Sequence, residues 1–562
     1  MDSLPPYAIF LIGALVIPVI GGRLRRVALL LIPLLSGANI VNLEQGYDWQ
    51  LLFLDYELIP VRVDELSLLF GYLFHIAALI AVIFSLHIRD TTQHVAGLVY
   101  AGSAIGAVFA GDFITLFIFW ELMAVSSAFL IFARRTDRAT AAGLRYLLIQ
   151  VLSGVMLLAG AVMRAQETGT LAFDFIGLDG AAELLIFLAF GIKCAFPLVH
   201  NWLTDAYPEA TPTGTVFLSA FTTKVAVYAL ARGFPGTEAL IYIGAVMTCF
   251  PIFYAVIEND LRRVLAYSMI NQIGFMVCGI GIGTALAVNG AVAHAFNDVL
   301  FKGLLMMSMG AVLHMTGRIN GSELGGLYKS MPMTAGLCIV GAASISAFPL
   351  FSGFVSKSMI MVAVLQEGYP GVWLALLFAS AGVFHHAGIK IPFFAFFAHD
   401  AGLRTGEPPN NMLLAMWIAA ALCVFIGIYP WMLYELLPFE AAYTPYDATH
   451  VIAQLQLLFF SALAFTWLKL TNLYPPELRS VNLDAEWIYR KLLPDAIRGI
   501  SRASAPVVTT FSDGVRGQML LLGQSVYRHF GPQSTLVRTW LSARMVLWVA
   551  ALLGFYLLFY YI

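Results

Sequence analysis

The sequence predicts an all-α polytopic membrane protein, and its composition and hydropathy support that fold class. The 562-residue chain is 60% hydrophobic and only 11% charged, whereas soluble proteins carry roughly 25% charged residues. Its mean hydropathy is +0.83. Apolar runs of about 17–25 residues recur along almost the whole chain, and helices of that length cross a hydrocarbon core about 30 Å thick. A net charge of −2 without a basic patch argues against a nucleic-acid partner.

Apolar runs that end at helix breakers predict about sixteen membrane-spanning helices. Their predicted limits are 5–21, 26–43, 66–88, 94–110, 112–133, 141–164, 182–203, 213–233, 238–257, 263–284, 288–315, 333–367 (interrupted), 371–399, 412–436, 450–471 and 543–561. The first run, in "MDSLPPYAIFLIGALVIPVIGGRLRR", has neither the charged n-region nor the cleavage site of a signal peptide. We therefore expect a spanning helix there.

The basic residues orient these helices. With the N-terminus outside, the inner loops, the helix ends beside them and the long segment before the last helix hold 23 arginines and lysines. The outer side holds three, Arg62, Arg164 and Arg232. Because cytoplasmic loops are enriched in Lys and Arg, this bias predicts an outside N-terminus.

Of the 31 basic residues, five remain, deep inside predicted spans and away from their ends, and all five are lysines although the chain has 23 arginines and eight lysines. They are Lys193, Lys224, Lys302, Lys357 and Lys390. Arginine stays protonated under almost any condition, whereas a desolvated lysine releases its proton near neutral pH. The choice of lysine therefore points to groups that gain and lose protons.

A broken helix with a lysine, followed by a second helix with a lysine, occurs twice. Lys193 precedes Pro197 in the seventh predicted span, and Lys224 follows in the eighth. Lys357 lies beside the interruption at 349–353 in the twelfth span, and Lys390 follows in the thirteenth. The second copy begins five spans after the first, an odd offset, so the two copies are expected to be inverted in the membrane. Inverted repeats with discontinuous helices are typical of transporters.

The eleventh predicted span carries His294, Asp298 and Lys302 at i, i+4 and i+8, which places them on one stripe of a helix. Such a stripe at membrane depth suits a water-bridged proton relay, and the alternative is a self-neutralising cluster that only joins helices. His385 and His386, near Lys390, either join the proton path or face the space between helices.

Glu121 is the one carboxylate inside "FITLFIFWELMAVSSAFLIF". A carboxylate at the bilayer centre costs about 2.5–3.5 kcal/mol on insertion scales, so we expect it to have a partner. Lys193 is the predicted counter-charge. The five cysteines show no CxxC or Cys/His cluster, so we expect no metal site and no cofactor.

Several stretches of the sequence resemble the antiporter-like membrane subunits shared by Mrp-type multisubunit cation/proton antiporters and respiratory complex I. They are "FWELM", "HNWLTDAYPEATPTGTVFLSAFTTKVAVYALAR", "DLRRVLAYSMINQIGFM", "HAFNDVLFKGLLMM" and "SAFPLFSGFVSK", and they occur in the family's order. Asp298 before Lys302, Lys357, and "HHAGIKIPFFAFF" look most similar to the MrpD-type branch in proteobacteria.

The resemblance implies a fourteen-helix core with two inverted five-helix repeats and broken helices 7 and 12. It assigns Glu121 to the acidic residue of helix 5 and Lys193, Lys224, Lys302 and Lys357 to the basic residues of helices 7, 8, 11 and 12. These residues are expected to line a hydrophilic axis that carries protons, together with His294, Asp298 and Lys390. His200, His385 and His386 are possible further members.

The expected function is proton translocation in a Na⁺ or K⁺/proton antiporter complex of the bacterial inner membrane, with other subunits and the lipid bilayer as partners. The chain is then a transporter subunit rather than an enzyme. One alternative is a proton-pumping subunit of a redox complex such as complex I or a membrane-bound hydrogenase. Another is an energy-coupling subunit for inorganic carbon uptake.

The predicted divisions are three N-terminal helices (1–93), the first repeat (94–235), the second repeat (236–400), two further helices (401–471), a surface segment (472–542) and an anchor helix (543–562). Pro494, Pro506 and Gly514 predict short amphipathic pieces on the cytoplasmic surface within 472–542, rather than one helix. A lateral helix, as in the complex I branch, is the alternative.

Overall fold

The structure is a computed structural model that describes residues 4–53, 56–440, 442–478, 482–531 and 542–561. The chain is predominantly helical and divides into two units, Met1–Asp484 and Ala485–Ile562. In the described residues, twelve helices are long and apolar enough to cross a membrane. The structure thus agrees with a multi-pass helical membrane protein, and the count of sixteen spans stays a prediction.

The first unit begins with two helices, a hairpin and a third helix. The helices are α1 (Pro6–Val16), α2 (Gly22–Val41) and α3 (Glu65–Ser85). Between α2 and α3, strands β1 (Asp48–Phe53) and β2 (Tyr56–Arg62) pair antiparallel. The sequence analysis missed this hairpin because it looked only for membrane-length apolar runs.

Three long helices follow, and polar residues cap their starts. They are α4 (Thr91–Phe109), α5 (Phe113–Phe132) and α6 (Asp137–Thr168). The Asp112 carboxylate accepts hydrogen bonds from the backbone N–H groups of Ile114 and Thr115, which satisfies donors that a helix start leaves free. The cap and the apolar run together fix where α5 begins, and hence where Glu121 lies in that helix.

The next part of the chain is a series of broken helices. It comprises α7 (Ala181–Lys193), α8 (Asn201–Ala206), α9 (Pro212–Ala220) and α10 (Thr222–Gly233). The break after α7 agrees with the predicted interruption. The break between α9 and α10 was not predicted: Phe221, with φ −107° and ψ −68°, divides what the sequence analysis placed in one helix over 213–233.

A second broken helix follows three continuous ones. The continuous helices are α11 (Glu238–Ile257), α12 (Leu261–Ile282) and α13 (Ala285–Thr316). The broken pair is α14 (Pro332–Ile345) and α15 (Ser352–Gln366), which agrees with the predicted interruption.

Both predicted breaks contain the same tetrapeptide, Ala-Phe-Pro-Leu, at residues 195–198 and 347–350. Its alanine and leucine have positive φ in both copies, 60° and 71° in the first and 57° and 75° in the second. Left-handed backbone at a residue other than glycine is uncommon and costs on the order of 1–3 kcal/mol. One short sequence therefore makes the same irregular turn twice.

The remaining helices of the first unit begin with α16 (Pro370–Val383). It continues through two π-helical turns, Phe384–Ile389 and Phe393–Phe397, on either side of the short α17 (Lys390–Pro392). After it come α18 (Asn410–Ile428), α19 (Trp431–Tyr434) and α20 (Ala448–Leu470). A π-turn often marks a functional position in a helix, and here the two turns flank Lys390.

The second unit contains a π-turn at Ile488–Leu492, α21 (Leu493–Phe530) and α22 (Ser542–Tyr561). The prediction of short separate pieces in 472–542 is wrong for α21, which is one helix of 38 residues. Pro494 lies at the start of α21, directly after the π-turn. Pro506 and Gly514 are accommodated inside it. Residues 532–541 lie outside the described residues.

Burial separates the interior helices from those facing outward. The most apolar stretch of α12 is 94% buried, whereas that of α20 is 11% buried. All of the stretch spanning α9 and α10 is buried. The polar residues on α10, α12 and α13 therefore meet other helices rather than lipid, and such positions are typical of functional polar groups in membranes.

Candidate functional site

The five predicted intramembrane lysines are all buried: each of Lys193, Lys224, Lys302, Lys357 and Lys390 exposes at most 2% of its surface. A buried ammonium group is costly unless it is paired or hydrogen-bonded. Each of the five donates at least one hydrogen bond to a carbonyl or hydroxyl oxygen. The helix breaks supply several of these acceptors.

Lys193, the last residue of α7, is held by a tryptophan of α5. Its Nζ donates to the Trp120 carbonyl oxygen at 2.5 Å and lies 4.3 Å from the centroid of the indole ring. The ring is itself fixed, because Trp120 Nε1 donates to Ser153 Oγ at 2.9 Å. Ser153 Oγ in turn donates to the Ala189 carbonyl oxygen on α7 at 2.7 Å.

The Glu121 carboxylate lies against α6 at Gly154. A Cβ atom added at Gly154 of α6 would overlap Glu121 Oε1, so the absence of a side chain there makes room for the carboxylate. In the part of the chain that the structure describes, Glu121 Oε1 is buried without a hydrogen-bond partner. Among the described residues no ion pair within 4 Å joins Glu121 and Lys193, although the two charges interact electrostatically. Glu121 as the counter-charge of Lys193 therefore stays a prediction.

Lys224, at the start of α10, forms an ion pair with Asp298 of α13. The distance from Lys224 Nζ to Asp298 Oδ2 is 2.7 Å, and both side chains are fully buried. The same Nζ donates to the Ser219 carbonyl oxygen at 3.3 Å, just before the break at Phe221. The unpredicted break thus leaves a carbonyl group free to bind this lysine.

The three polar residues of α13 have partners on different helices. His294 lies 3.0 Å from Gln272 Oε1 of α12 through Nε2 and 3.0 Å from Ser356 Oγ of α15 through Nδ1. Lys302 Nζ donates to Ser268 Oγ of α12 at 2.8 Å. One stripe of α13 therefore connects α10, α12 and α15, as a relay between the two broken regions requires.

Lys357 lies in α15, after the second break. Its Nζ donates to the Ile345 carbonyl oxygen at the end of α14, at 3.2 Å, and lies 4.9 Å from the Phe275 ring centroid. Like Lys193, it combines a backbone carbonyl with an aromatic ring. Lys357 also borders a cavity.

That cavity has a volume of about 230 Å³ and lies between α15, α16 and α20. Its polar lining residues are Lys357, Ser358, Ser380, Thr449, His450 and Gln454. Its lining runs from Lys357 towards the end of α15 and the starts of α16 and α20, which lie on one side of the bundle. The cavity thus extends from a buried lysine towards one face of the protein.

Lys390 lies between the two π-turns, and its surroundings were not predicted. Its Nζ donates to the carbonyl oxygens of Val256 and Glu258 at 2.7 and 2.6 Å, where α11 ends. It also forms an ion pair with Glu477 Oε1 at 3.1 Å. Glu477 follows the last predicted span of the first unit, so the sequence offered only an acidic residue in "LYPPELRS" as a signal.

The histidines proposed as further members have unequal surroundings. His200 Nε2 lies 3.2 Å from Asp484 Oδ2, which also accepts a 2.7 Å hydrogen bond from the Tyr267 hydroxyl group. The His385 ring packs against Phe465 and Tyr474, with ring centroids 5.4 and 5.5 Å apart. His386 is fully buried. Their part in proton transfer stays a prediction, and the sequence analysis missed Asp484 and Gly154 altogether.

Residues 110–385 match the family model described as NADH:quinone oxidoreductase/Mrp antiporter, transmembrane. The chain is 27% identical to hydrogenase-4 component B of Escherichia coli K12, over 69% of this chain and 65% of that protein, slightly under two thirds of its length. It is 30% identical to the D subunit of the Na⁺/H⁺ antiporter of Alkalihalophilus pseudofirmus, over 57% of this chain and 69% of that protein.

Two solved structures share the fold. The Mrp complex from Dietzia sp. DQ12-45-1b superimposes with a TM-score of 0.75 at 23% identity, over 92% of this chain and 61% of that chain. Respiratory complex I from Thermus thermophilus gives 0.66 at 22% identity, over 76% of this chain and 98% of that chain. Both resemblances concern the helical architecture in which the buried lysines lie.

Proposed function

Because the chain belongs to the NADH:quinone oxidoreductase/Mrp antiporter transmembrane family, we propose that it is the proton-translocating subunit of a Na⁺ or K⁺/proton antiporter complex. The observation that carries this proposal is the cavity at Lys357. It connects a buried titratable lysine to one face of the bundle, while the polar groups of α12 and α13 extend inwards from that lysine.

Protons pass through intervening waters along groups that the structure places in the interior. The proposed order is Lys193, Lys224, His294 with Lys302, Lys357 and Lys390. Asp298 stabilises the positive charge of Lys224, and the 2.7 Å ion pair between the two side chains supports this role. Glu121 governs the first half by approaching Lys193 or withdrawing from it, and the Gly154 position is its withdrawn position. The subunit itself performs no redox chemistry.

The proposed setting is the bacterial inner membrane, with sixteen spanning helices and the N-terminus outside. The distribution of 23 against three basic residues supports that orientation. The two Ala-Phe-Pro-Leu breaks support a pair of inverted five-helix repeats, 94–235 and 236–400. In this orientation the cavity at Lys357 opens to the outer side.

Other subunits complete the antiporter. The relative from Alkalihalophilus pseudofirmus and the Mrp complex of Dietzia are by name parts of larger assemblies, which supports a hetero-oligomeric complex here. We therefore assign the exchange reaction to the complex and the proton path to this chain.

The test uses everted vesicles that contain the complete cognate gene cluster. Addition of Na⁺ or K⁺ is expected to collapse a preformed pH gradient, and Lys357→Ala is expected to abolish that response. Lys329→Ala is the matched control, because Lys329 is a half-exposed loop lysine paired with Asp400. A cation response that survives Lys357→Ala would contradict the proposed path.

A second candidate is a proton-pumping subunit of a redox complex, which the similarity to hydrogenase-4 component B favours. It would use the same lysines, driven by electron transfer in other subunits. The vesicle experiment separates the two, because a redox module gives no response to added cation in the intact complex. Adjacent genes for flavin or iron–sulfur proteins would also favour this candidate.

A further inference from the structure

Residues 471–478 and 482–484, which we name the C-terminal strap, lie against the helical bundle after α20. Residues 479–481 between them lie outside the described part. The chain reverses at Asn472, which has φ 58°, and the backbone N–H groups of Leu473 and Tyr474 donate to the Leu468 carbonyl oxygen. The Tyr474 ring then packs against Phe465, with centroids 5.2 Å apart. The strap is therefore anchored at its beginning.

The strap brings a carboxylate to Lys390. Glu477 Oε1 lies 3.1 Å from Lys390 Nζ, and the two side chains expose 6% and 0% of their surface. Buried ion pairs of this kind are rarely needed for stability alone, because desolvation offsets much of the attraction. Lys390 also has the carbonyl groups at the end of α11 as acceptors, so it does not depend on Glu477 for hydrogen bonds.

Two further residues extend the strap across the same end of the bundle. Asn482 Nδ2 donates to Glu258 Oε2 at 3.2 Å. Asp484 accepts from the Tyr267 hydroxyl group and meets His200. Glu258 follows the end of α11, and Tyr267 lies in the second turn of α12. In the proposed orientation this end of the bundle is cytoplasmic.

We propose that Glu477 is the proton carrier between Lys390, the last group of the proposed path, and the cytoplasm, an inference that rests on the proposed function. A Glu477 carboxyl group that has taken a proton from cytoplasmic water transfers it to neutral Lys390. The transfer breaks the O–H bond, forms the N–H bond of the ammonium group and leaves the ion pair seen here. Transport in the opposite direction reverses the step.

The setting of Glu477 suits a group that alternates between its two forms. Burial raises the pKa of its carboxyl group, while the neighbouring Lys390 and Lys469 lower it and Glu258 raises it. Tyr474 and His385 are the other titratable groups packed there. The strap lies beyond the matched residues 110–385, so this role belongs to a part of the chain that the family model does not cover.

The transport test compares Glu477→Gln with Glu477→Asp in vesicles of the complete complex. The amide oxygen of glutamine still accepts a hydrogen bond from Lys390 but carries no proton, so the rate of cation-driven pH-gradient collapse is expected to fall about a hundredfold. Aspartate is expected to retain measurable transport. Asp513→Asn, an exposed carboxylate of α21, is the matched control and is expected to behave as wild type.

Removing both charges tests whether Glu477 and Lys390 form only a structural ion pair. Recovery of transport in the double variant Glu477→Gln/Lys390→Met would show that neither residue carries protons, and that recovery overturns the inference. If the two residues carry protons, the double variant stays as slow as Glu477→Gln. Near-normal transport by Glu477→Gln alongside an inactive Lys357→Ala overturns this inference and leaves the proposed function intact.

A chemical measurement tests the inference without any cation response. Apolar carbodiimides modify protonated carboxyl groups, and peptide mass spectrometry locates the product. In Lys390→Met, the loss of the ammonium group leaves the Glu477 carboxyl protonated, so its modification is expected to rise above that in wild type. The reagent must be shown to enter the vesicle membrane. If Glu477 then stays unmodified in Lys390→Met, the inference is overturned, whichever complex contains the subunit.

Discussion

The two helix breaks have the same backbone but place their lysines on opposite sides of it. Both contain Ala-Phe-Pro-Leu with the same pair of positive φ angles. Lys193 precedes the first break and is enclosed by Trp120, whereas Lys357 follows the second and borders a cavity. One irregular turn can therefore serve either an enclosed position or an accessible one, depending on which half-helix carries the lysine.

The second lysine of each pair shows a related difference in its carboxylate partner. Lys224 pairs with Asp298, which lies in α13 at the centre of the first unit. Lys390 pairs with Glu477, which the C-terminal strap supplies after α20. The partner on a central helix is fixed by the packing of the whole bundle, whereas the partner on the strap is held by the contacts of that segment with α11, α12 and α20.

The largest expected effect concerns the central pair. Asp298→Ala leaves the Lys224 ammonium buried without its carboxylate, and breaking a buried pair in this way costs about 3–5 kcal/mol. Thermal unfolding of the purified complex in detergent measures the loss. The double variant Asp298→Ala/Lys224→Met is expected to regain most of it, and a double variant no more stable than the single one would contradict this account.

The enclosed lysine gives the next prediction. Glu121→Ala and Lys193→Ala are each expected to abolish coupled transport in vesicles while the protein still inserts. Because both residues are proposed to act in proton transfer and Lys193 has its hydrogen bond to Trp120, removing both residues is not expected to restore transport. Restored transport in the double variant would instead indicate a fixed ion pair.

A smaller effect is expected from the glycine that accommodates Glu121. Gly154→Ala displaces the carboxylate from α6, so the initial rate of cation-driven proton transport should fall while helix stability is maintained. Gly336→Ala is the matched control, since a Cβ atom there meets no atom within 4 Å. Equal transport rates in the two variants would show that the withdrawn position of Glu121 is not used.

Because Lys357 borders a cavity, a thiol placed in the lining of that cavity is expected to be more accessible to a reagent than the buried native thiols. This substitution is expected to have little effect on transport. Ser358→Cys, which lines the cavity, is expected to react with a membrane-impermeant thiol reagent added from the outer side. The buried native thiols of Cys194, Cys278, Cys338 and Cys423 serve as internal controls in the same spectra. Reaction from the inner side alone would reverse the proposed orientation of the passage.

Part of this site was predictable because its signals are local. A lysine within an apolar run, and a proline within a helix, are visible without any knowledge of neighbouring helices. The positions of Lys193 and Lys357 beside two breaks followed from such signals. The repeated Ala-Phe-Pro-Leu is equally local and would have strengthened the comparison of the two breaks.

Other features were invisible or misjudged because they depend on packing. The break between α9 and α10 lies at Phe221, where no proline or glycine signals it in the sequence. In the sequence nothing distinguishes Gly154 from the other glycines. Its role is visible only in the structure, where α6 packs against Glu121. Pro506 suggested a break in α21, but a proline costs a helix only one hydrogen bond and a local clash, which this helix tolerates.

The sequence by itself determined that this is a membrane protein, which segments are apolar, and where charged groups interrupt them, because transfer from water into lipid depends on short stretches of chain. Only the tertiary structure decided what each charge meets. Glu477 lies 87 residues after Lys390 in the chain yet 3.1 Å from it in space. Such a contact depends on how several helices pack together, and no local pattern in the sequence encodes it.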